Sequence, residues 1–299
     1  MTLPLSAFII ARDEEARIGR TLAALRGLAD DIVVVDSGST DRTVAIAQAY
    51  GARVIVRAWD GYGPQKRFAE AQCRHGWLLN VDADEVVTPE LATEIRALLE
   101  GEPPAGAYNI RILNVYPGDA RPRPFANDYD VVRLYHRDAG AYRDHPSFDR
   151  VELKAGVRPG QIAAPIWHHP IVDWHGFIDK SNRFSTFQAT LPSRRSGRLL
   201  KLRLFGEFPI NFLKTYILRR HFTGGWKGFY FAVGQAFMRT SRIAKMLEAQ
   251  ESRMQEMGMR EAGLRETSPH ETATTKTVVS DIALSDIATN TPAAAKREP

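Results

Sequence analysis

Two aspartates one residue apart, Asp82 and Asp84, close the run Trp77-Leu78-Leu79-Asn80-Val81. Carboxylate oxygens are hard ligands. A pair of them behind a buried apolar run suits Mg²⁺ or Mn²⁺, with coordination positions left for diphosphate oxygens. The competing reading is a solvated acidic turn leading into a helix at Pro89. Two further acidic groups follow apolar runs: Asp13, Glu14 and Glu15 after residues 5–11, and Asp36 after residues 32–35. A carboxylate such as Asp36 can accept hydrogen bonds from a nucleobase or ribose, although Asp36-Ser37-Gly38-Ser39 is also a good turn. A glycine cradle for phosphate is disfavoured. The stretch after the first run is Ala-Arg-Asp-Glu-Glu-Ala where a dinucleotide fold needs Gly-x-Gly-x-x-Gly, and no Gly-Lys-Ser/Thr loop occurs. A Rossmann-type oxidoreductase therefore fits poorly, and bound phosphates need another counter-charge, such as a metal at Asp82 and Asp84.

Those acids need a scaffold, and the first hundred residues provide one. Residues 5–11, 32–35, 53–56 and 77–81 read as strands. Helices are expected from Ile18, Leu22 and Leu25 at helical spacing, over 43–50 behind Ser39-Thr40-Asp41, over about 65–74, and from Pro89 to Leu99. Strands alternating with helices predict a mostly parallel sheet with crossover helices. Ligands in such sheets sit beyond the C-terminal strand ends, where all three acidic groups fall. Residues 108–115 and 131–136 read as further strands, 165–190 as helical, and 199–247 as a helical, aromatic and basic section.

The bulk composition bounds the rest. The chain has 299 residues, 44% of them hydrophobic, enough for one large domain with an appendage. A single cysteine, Cys73, rules out an internal disulfide framework and fits a reducing compartment. The apolar start reads as a buried strand and not a signal peptide. No run reaches the roughly 20 apolar residues that span a bilayer. Net charge is +5 but unevenly placed: residues 194–245 hold twelve Lys or Arg and one acid, Glu207, leaving the rest net acidic. Interleaved with aromatics such as Phe212, Tyr216, Trp226 and Phe229, this basic segment predicts peripheral contact with an anionic membrane. A plain core helix with a solvated basic face competes with that reading. No nucleic-acid module accompanies it. From Met246 on there is no Phe, Trp or Tyr, and the chain from about Thr267 is expected to be disordered.

Several stretches in order make the chain resemble the family 2 glycosyltransferases of the GT-A fold. They are Ala-Arg-Asp-Glu-Glu-Ala-Arg-Ile, Ile-Val-Val-Val-Asp-Ser-Gly-Ser-Thr-Asp-Arg-Thr, Gly-Tyr-Gly-Pro-Gln-Lys-Arg-Phe-Ala and Trp-Leu-Leu-Asn-Val-Asp-Ala-Asp-Glu. The Gly-Tyr-Gly-Pro-Gln-Lys segment and the basic C-terminal helices resemble the subgroup that builds lipopolysaccharide inner core. The resemblance implies an α/β fold: a Rossmann-like, mixed and mostly parallel sheet with helices on both faces, plus a C-terminal helical extension. The chain is expected to divide into a catalytic domain over 1–160, a helical acceptor or membrane-associating region over 161–250, and a largely disordered tail over 251–299. The resemblance implies a nucleotide-sugar donor, a UDP-sugar first, and a glycolipid or saccharide acceptor at the cytosolic face of the inner membrane. Residue by residue, Asp36 contacts the base, with Glu14 and the backbone of Ala11 lining the same pocket. Gln65 and Lys66 approach the ribose or diphosphate, Asp82 faces the ribose and metal, and Asp84 ligates the metal. Family 2 enzymes generally invert the anomeric centre, so a carboxylate should take the acceptor proton. The subgroup's Val-His-Glu/Asp-x-Val reads here Ser147-Phe148-Asp149-Arg150-Val151, which gives Asp149 that role, with Asp144 and His145 as competitors. Arg133 is expected to brace the site, and His168 to lie near the acceptor with Lys180, Asn182 and Arg183. The family's usual Asn is Asp13 here. A zinc site from His168, His169 and His175 lacks a completing ligand. The alternative function is a non-catalytic module binding nucleotide-sugar or an anionic membrane.

Overall fold

The computed structural model describes residues 3–126, 129–145, 149–190 and 196–261. The tail from Thr267 lies outside them.

Strand β1 (Leu3–Ala11) sits mid-sheet, paired in parallel with β2 (Ala29–Asp36) and β4 (Trp77–Asn80), and β2 pairs in parallel with β3 (Arg53–Val56). Successive residues of β1 point to opposite faces, and both faces are apolar. Leu5, Ala7, Ile9 and Ala11 join one core, with Ile18 and Leu22 of α1 (Ile18–Leu25), Ala47 of α2 (Thr43–Ala49) and Leu91 of α4 (Pro89–Glu100). Phe8 and Ile10 join the other, against Tyr62 and Ala69 of α3 (Tyr62–Gln72). Full burial of each such Leu, Ile or Phe contributes about 1.5–3 kcal/mol, so the alternation fixes the strand's register between the two helical layers. Helix α4 starts as its sequence signals: Pro89 is its first residue, and Thr88 accepts a hydrogen bond from the Leu91 amide.

The remaining strands are β5 (Glu85–Val87), β6 (Ala107–Asn114), β7 (Tyr129–His136), β8 (Gly140–Tyr142), β9 (Val151–Leu153), β10 (Gly160–Gln161) and β11 (Ile166–His168). Among the described residues the main sheet runs β3-β2-β1-β4-β7-β6-β11-β5, with β10 also on β6, while β8 and β9 form a separate hairpin. Strand β7 is antiparallel to β4 and β6, and β11 is parallel to β6 and antiparallel to β5. The chain therefore has the mixed, mostly parallel sheet with helices on both faces that the resemblance implies. The sheet runs past residue 160, because β11 lies between β6 and β5.

Two expectations need correction. Residues 165–173 are not helical: helix α5 begins at Trp174 (Trp174–Thr190), and β11 precedes it. Pro165 and Pro170 bracket that strand, and a residue before proline is driven toward extended backbone. Pairing with β6 and β5 then satisfies its backbone groups. The turn at Asp82-Ala83-Asp84 does not lead straight into a helix either, since β5 intervenes.

Beyond residue 196, α6 (Gly197–Leu213) passes through a wide turn, Lys214–Leu218, and a tight one, His221–Gly224, into α7 (Gly225–Glu261). Leu200 near the start of α6 packs on Ile243 and Leu247 far along α7, so the two helices form an antiparallel hairpin. Helix α5 joins this hairpin to the sheet domain. Its Phe177 stacks on Phe231 at 5.5 Å, and Trp174 meets Tyr230 edge-on at 5.0 Å.

Candidate active site

The loop after β1 and the loop after β2 are tied into one rim. Ala11 and Asp36 are register partners, and the Ser37 amide donates to the Ala11 carbonyl at 2.9 Å. The Asp13 amide donates to the Ser39 hydroxyl at 2.9 Å, and the Thr40 amide donates to the Asp13 carboxylate at 2.8 Å. Asp13 sits at φ +53°, a left-handed conformation that Asp and Asn tolerate better than most residues. Asp36 is 1% exposed, and its carboxylate accepts from the Gly38 and Ser39 amides at 2.9 and 2.8 Å and from the Ser39 hydroxyl. Its visible work is to hold the turn. Gln65, fully buried, donates to the Ser37 hydroxyl at 3.0 Å and to the Arg57 carbonyl, bracing the ends of β2 and β3.

Two charge clusters lie beyond these strand ends. In the first, Arg17 grips Glu14 through two hydrogen bonds of 2.7 Å and approaches Asp84 Oδ2 at 3.5 Å. It also donates to the carbonyls of His169 and Pro170, which joins the first loop to the segment after β11. His168 Nε2 lies 3.2 Å from the same Asp84 oxygen, while its Nδ1 is 2.9 Å from the side-chain oxygen of Asn114. That oxygen only accepts, so Nδ1 carries a hydrogen and Nε2 is the nitrogen turned toward Asp84. Burial pushes Glu14 up to about 7 against the pull of Arg17. Burial opposes ionisation of both Asp84 and His168, yet their attraction outweighs it, holding Asp84 below the usual carboxylate range and His168 above its ordinary value. Lys180 of α5 faces the same cluster; burial pulls it down to about 8, partly offset by Asp84.

In the second cluster, Lys66 is 1% exposed. Its Nζ lies 2.8 Å from Asp82, 2.6 Å from Asp149 and 3.2 Å from Asn80. Arg133, 3% exposed, donates to Asp82 Oδ2 at 2.7 Å and Glu85 Oε1 at 2.6 Å, and also bonds Asn80. Tyr142 donates to Asn80 at 2.7 Å. Burial disfavours the charged form of Asp82, but Arg133 and Lys66 reverse this and hold it well below the usual range. Glu85, fully buried, is pushed up to about 7 by burial despite Arg133.

Of the residues read from sequence, Glu14 and Asp84 meet in the first cluster, and Lys66, Asp82, Arg133 and Asp149 in the second. Ala11, Asp36 and Gln65 build the rim. Lys66 is locked between carboxylates and does not stand open toward a ligand. Asn182 turns away, its side-chain oxygen accepting from Lys245 at 2.7 Å. His175 is an exposed partner of Asp179, and no group of three or more His, Cys, Asp or Glu among the described residues is arranged to hold a metal, so the three-histidine zinc set is not assembled. Sequence reasoning missed Arg17, Asn80, Glu85, Asn114 and Tyr142. Arg17 alone left a local signal, a charge three residues from Glu14 at the entrance to a helix.

Acids thus gather beyond the parallel strand ends of an α/β sheet, with buried cations behind them. The chain belongs to glycosyltransferase family 2, whose model, Glycosyl transferase family 2, matches residues 6–157. It is 36% identical over 251 residues to an uncharacterized glycosyltransferase of Rickettsia prowazekii, covering 81% of this chain and 86% of that one. It is 29% identical over 252 residues to the lipopolysaccharide core biosynthesis glycosyltransferase LpsC of Rhizobium meliloti, covering 82% and 93%. Among solved structures it resembles glucosyl-3-phosphoglycerate synthase from Mycobacterium tuberculosis, solved with Mn²⁺, UDP and glucosyl-3-phosphoglycerate. That likeness has 26% identity and a TM-score of 0.30, over 39% of this chain and 45% of that one.

Proposed function

We propose that this glycosyltransferase moves a sugar, with inversion, from a nucleotide-sugar donor to a hydroxyl of a glycolipid or saccharide acceptor in lipopolysaccharide or cell-envelope glycan synthesis. A UDP-sugar is the first donor to test. The observation that carries the donor half is the pair Asp84 Oδ2 and His168 Nε2, 3.2 Å apart and buried beyond the strand ends. That spacing suits two neighbouring ligands of one hard divalent ion, and Asn114 on Nδ1 fixes the imidazole for it. Asp84 and His168 would hold Mg²⁺ or Mn²⁺, with Asp82 facing the ribose and metal side. When bound, the ion offsets charge on the departing diphosphate.

The chain's own residues do the rest. Arg17 and Lys180 add positive charge beside the diphosphate. The rim formed by Ala11, Glu14 and the Asp36 turn encloses the base, with Asp36 shaping the pocket through that turn. Asp149 takes the proton of the acceptor hydroxyl as the hydroxyl oxygen bonds to the anomeric carbon, and the bond from that carbon to the diphosphate breaks. Lys66 holds Asp149 and Asp82 on one side of the site until acceptor arrives. The acceptor is presented at the cytosolic face of the inner membrane, which the enzyme contacts peripherally.

Calorimetry of UDP binding with and without Mn²⁺, on wild type, Asp84→Ala and His168→Ala, tests the donor half. Mn²⁺ should strengthen UDP binding to wild type and do nothing for either variant. Equal strengthening in all three would remove the pair from the site. A nucleotide-sugar hydrolysis panel then separates an enzyme from a non-catalytic binding module.

A further inference from the structure

The hairpin of α6 and α7 has an outer face that the rest of the described fold leaves bare. Helix α6 turns Leu200 and Leu204 inward. On its other side Leu202 is 73% exposed, Ile210 64% and Leu213 55%, and at 3.6 residues per turn these fall on one stripe continued by Ile217. Phe205, on the edge of that stripe, is 84% exposed. Helix α7 repeats the arrangement, with Trp226, Phe229 and Phe237 outward and Ala232, Ala236 and Ile243 inward. The link between the helices adds Leu218 and Phe222. Scattered exposed apolar side chains are ordinary, but an exposed apolar stripe along each of two packed helices marks a contact with something other than water.

Charge decides what that contact is. The hairpin, residues 197–261, holds twelve Lys or Arg against five acids, of which Arg203 pairs Glu207 at 2.8 Å and Lys201 pairs Glu251 at 3.4 Å. Arg198 and Lys214 are exposed and flank the α6 stripe on either side. A second copy of the chain would set these cations against their equals, whereas an anionic bilayer offers an apolar interior beneath a negative surface. No helix among the described residues is long and apolar enough to cross a membrane. We propose that the α6–α7 hairpin is a monotopic docking element that seats its outer apolar face in the headgroup layer of an anionic bilayer, with its flanking cations at the lipid phosphates.

Helix α5 gives this surface a bearing on the catalytic site. Trp174 lies 5.9 Å from Trp226 and 5.0 Å from Tyr230 on the hairpin, while Lys180, farther along α5, faces Asp84. One helix thus links the docking face to the donor pocket, so a lipid-linked acceptor in the same bilayer meets the site at a set height. The docking itself does not depend on the transfer reaction; only its purpose rests on that reading.

The test is flotation of the full chain with vesicles of phosphatidylglycerol and phosphatidylcholine, against phosphatidylcholine alone, at low and high salt. Binding is expected with the anionic vesicles, weakening with salt to a resistant remainder. Arg198→Gln with Lys214→Gln should weaken it by about fivefold per cation, roughly 25-fold together. Leu202→Gln with Phe205→Gln should abolish the salt-resistant part, and both side chains are too exposed for the fold to need them. Thermal melts and UDP calorimetry on every variant confirm folding and read the donor site separately. Equal binding to both vesicle types, or variants that bind as wild type does, would overturn the proposal. So would a dimer in light scattering that Leu202→Gln with Phe205→Gln dissolves, without vesicle binding, because the face would then join two copies. Loss of UDP binding with flotation intact would count against the transferase reading alone.

Discussion

Replacing Lys66 by Met asks whether Asp149 is truly held beside Asp82. The ammonium is 1% exposed, 2.8 Å from Asp82 and 2.6 Å from Asp149. The Asp149 approach is a charge contact off hydrogen-bond alignment, so its strength is electrostatic. Removing one partner of a buried ion pair costs about 3–5 kcal/mol, because the other charge stays behind. Asp82 keeps Arg133 at 2.7 Å and has a 23% exposed side chain, so its share of the loss is small. The Asp149 side chain is only 14% exposed and loses the ammonium altogether. Lys66→Met should then cost about 3 kcal/mol, or roughly 6–12 °C in Tm for a domain of this size. Asp149→Asn should cost about 1 kcal/mol, since Lys66 keeps Asp82. The double variant leaves no stranded charge at Asp149 and should be about 2 kcal/mol more stable than the sum of the singles implies. Urea unfolding of the four proteins measures this coupling. If the two single effects simply add, within about 0.5 kcal/mol, then Asp149 is not held against Lys66 and loses its claim to be the base.

Asn114→Ala should weaken the Mn²⁺-dependent part of UDP binding by roughly 10-fold, because His168 Nδ1 loses its orienting acceptor, and leave metal-free binding unchanged by calorimetry. Gly63→Ala would put a methyl carbon 2.2 Å from the Arg143 carbonyl oxygen and 2.6 Å from that of His145. It should displace the loop leading to Asp149, cost about 1–3 kcal/mol in thermal unfolding, and lower turnover more than UDP affinity. Asp31, 2% exposed, accepts from Ser6 at 2.7 Å and from Arg53 and the Arg74 amide at 2.9 Å. Burial opposes its charge, but these donors outweigh burial and lower its pKa. Its contribution is therefore present above the ordinary carboxylate value and lost as pH falls through the lowered folded one. Asp31→Asn should cost about 2–3 kcal/mol at pH 7, and urea midpoints of the two proteins should converge below about pH 4.

The elements that hold the site were legible where local pattern and burial agree. The runs at Leu5–Ala11 and Val33–Val35 are buried on both faces, so they read as strands from composition alone, and the acids that end them fall at the rim. Pro89 and Thr88 signal their helix start in four residues. What was not legible depends on partners distant in sequence. Three residues such as Ile166–His168 carry no periodicity, and they become a strand only because β6 and β5 lie on either side. Lys66 reads as a ligand-facing cation until the fold buries it between Asp82 and Asp149. Glu85 gave no separate signal in the acidic turn, yet it is fully buried, and Arg133, 48 residues on, reaches it. Asp36 shows the reverse: the turn that Asp-Ser-Gly-Ser reads as is present, and the Asp36 carboxylate accepts from its Gly38 and Ser39 groups.

The place of β11 also bears on how the chain comes off the ribosome. The first four parallel strands and their helices are complete by residue 100, and they can gather as each is made. Among the described residues strand β5 pairs with β11 alone, and β11 is made some eighty residues later. Until then Asp84 lacks His168, and the exposed edge of β6 has no partner where β11 will lie. A nascent chain stalled before residue 166 would thus carry a nearly finished rim without the Asp84–His168 contact, and an open strand edge of the kind that invites misassembly. The last short strand acts as a latch: the contact of His168 with Asp84 forms at the same step in which the edge of β6 is covered.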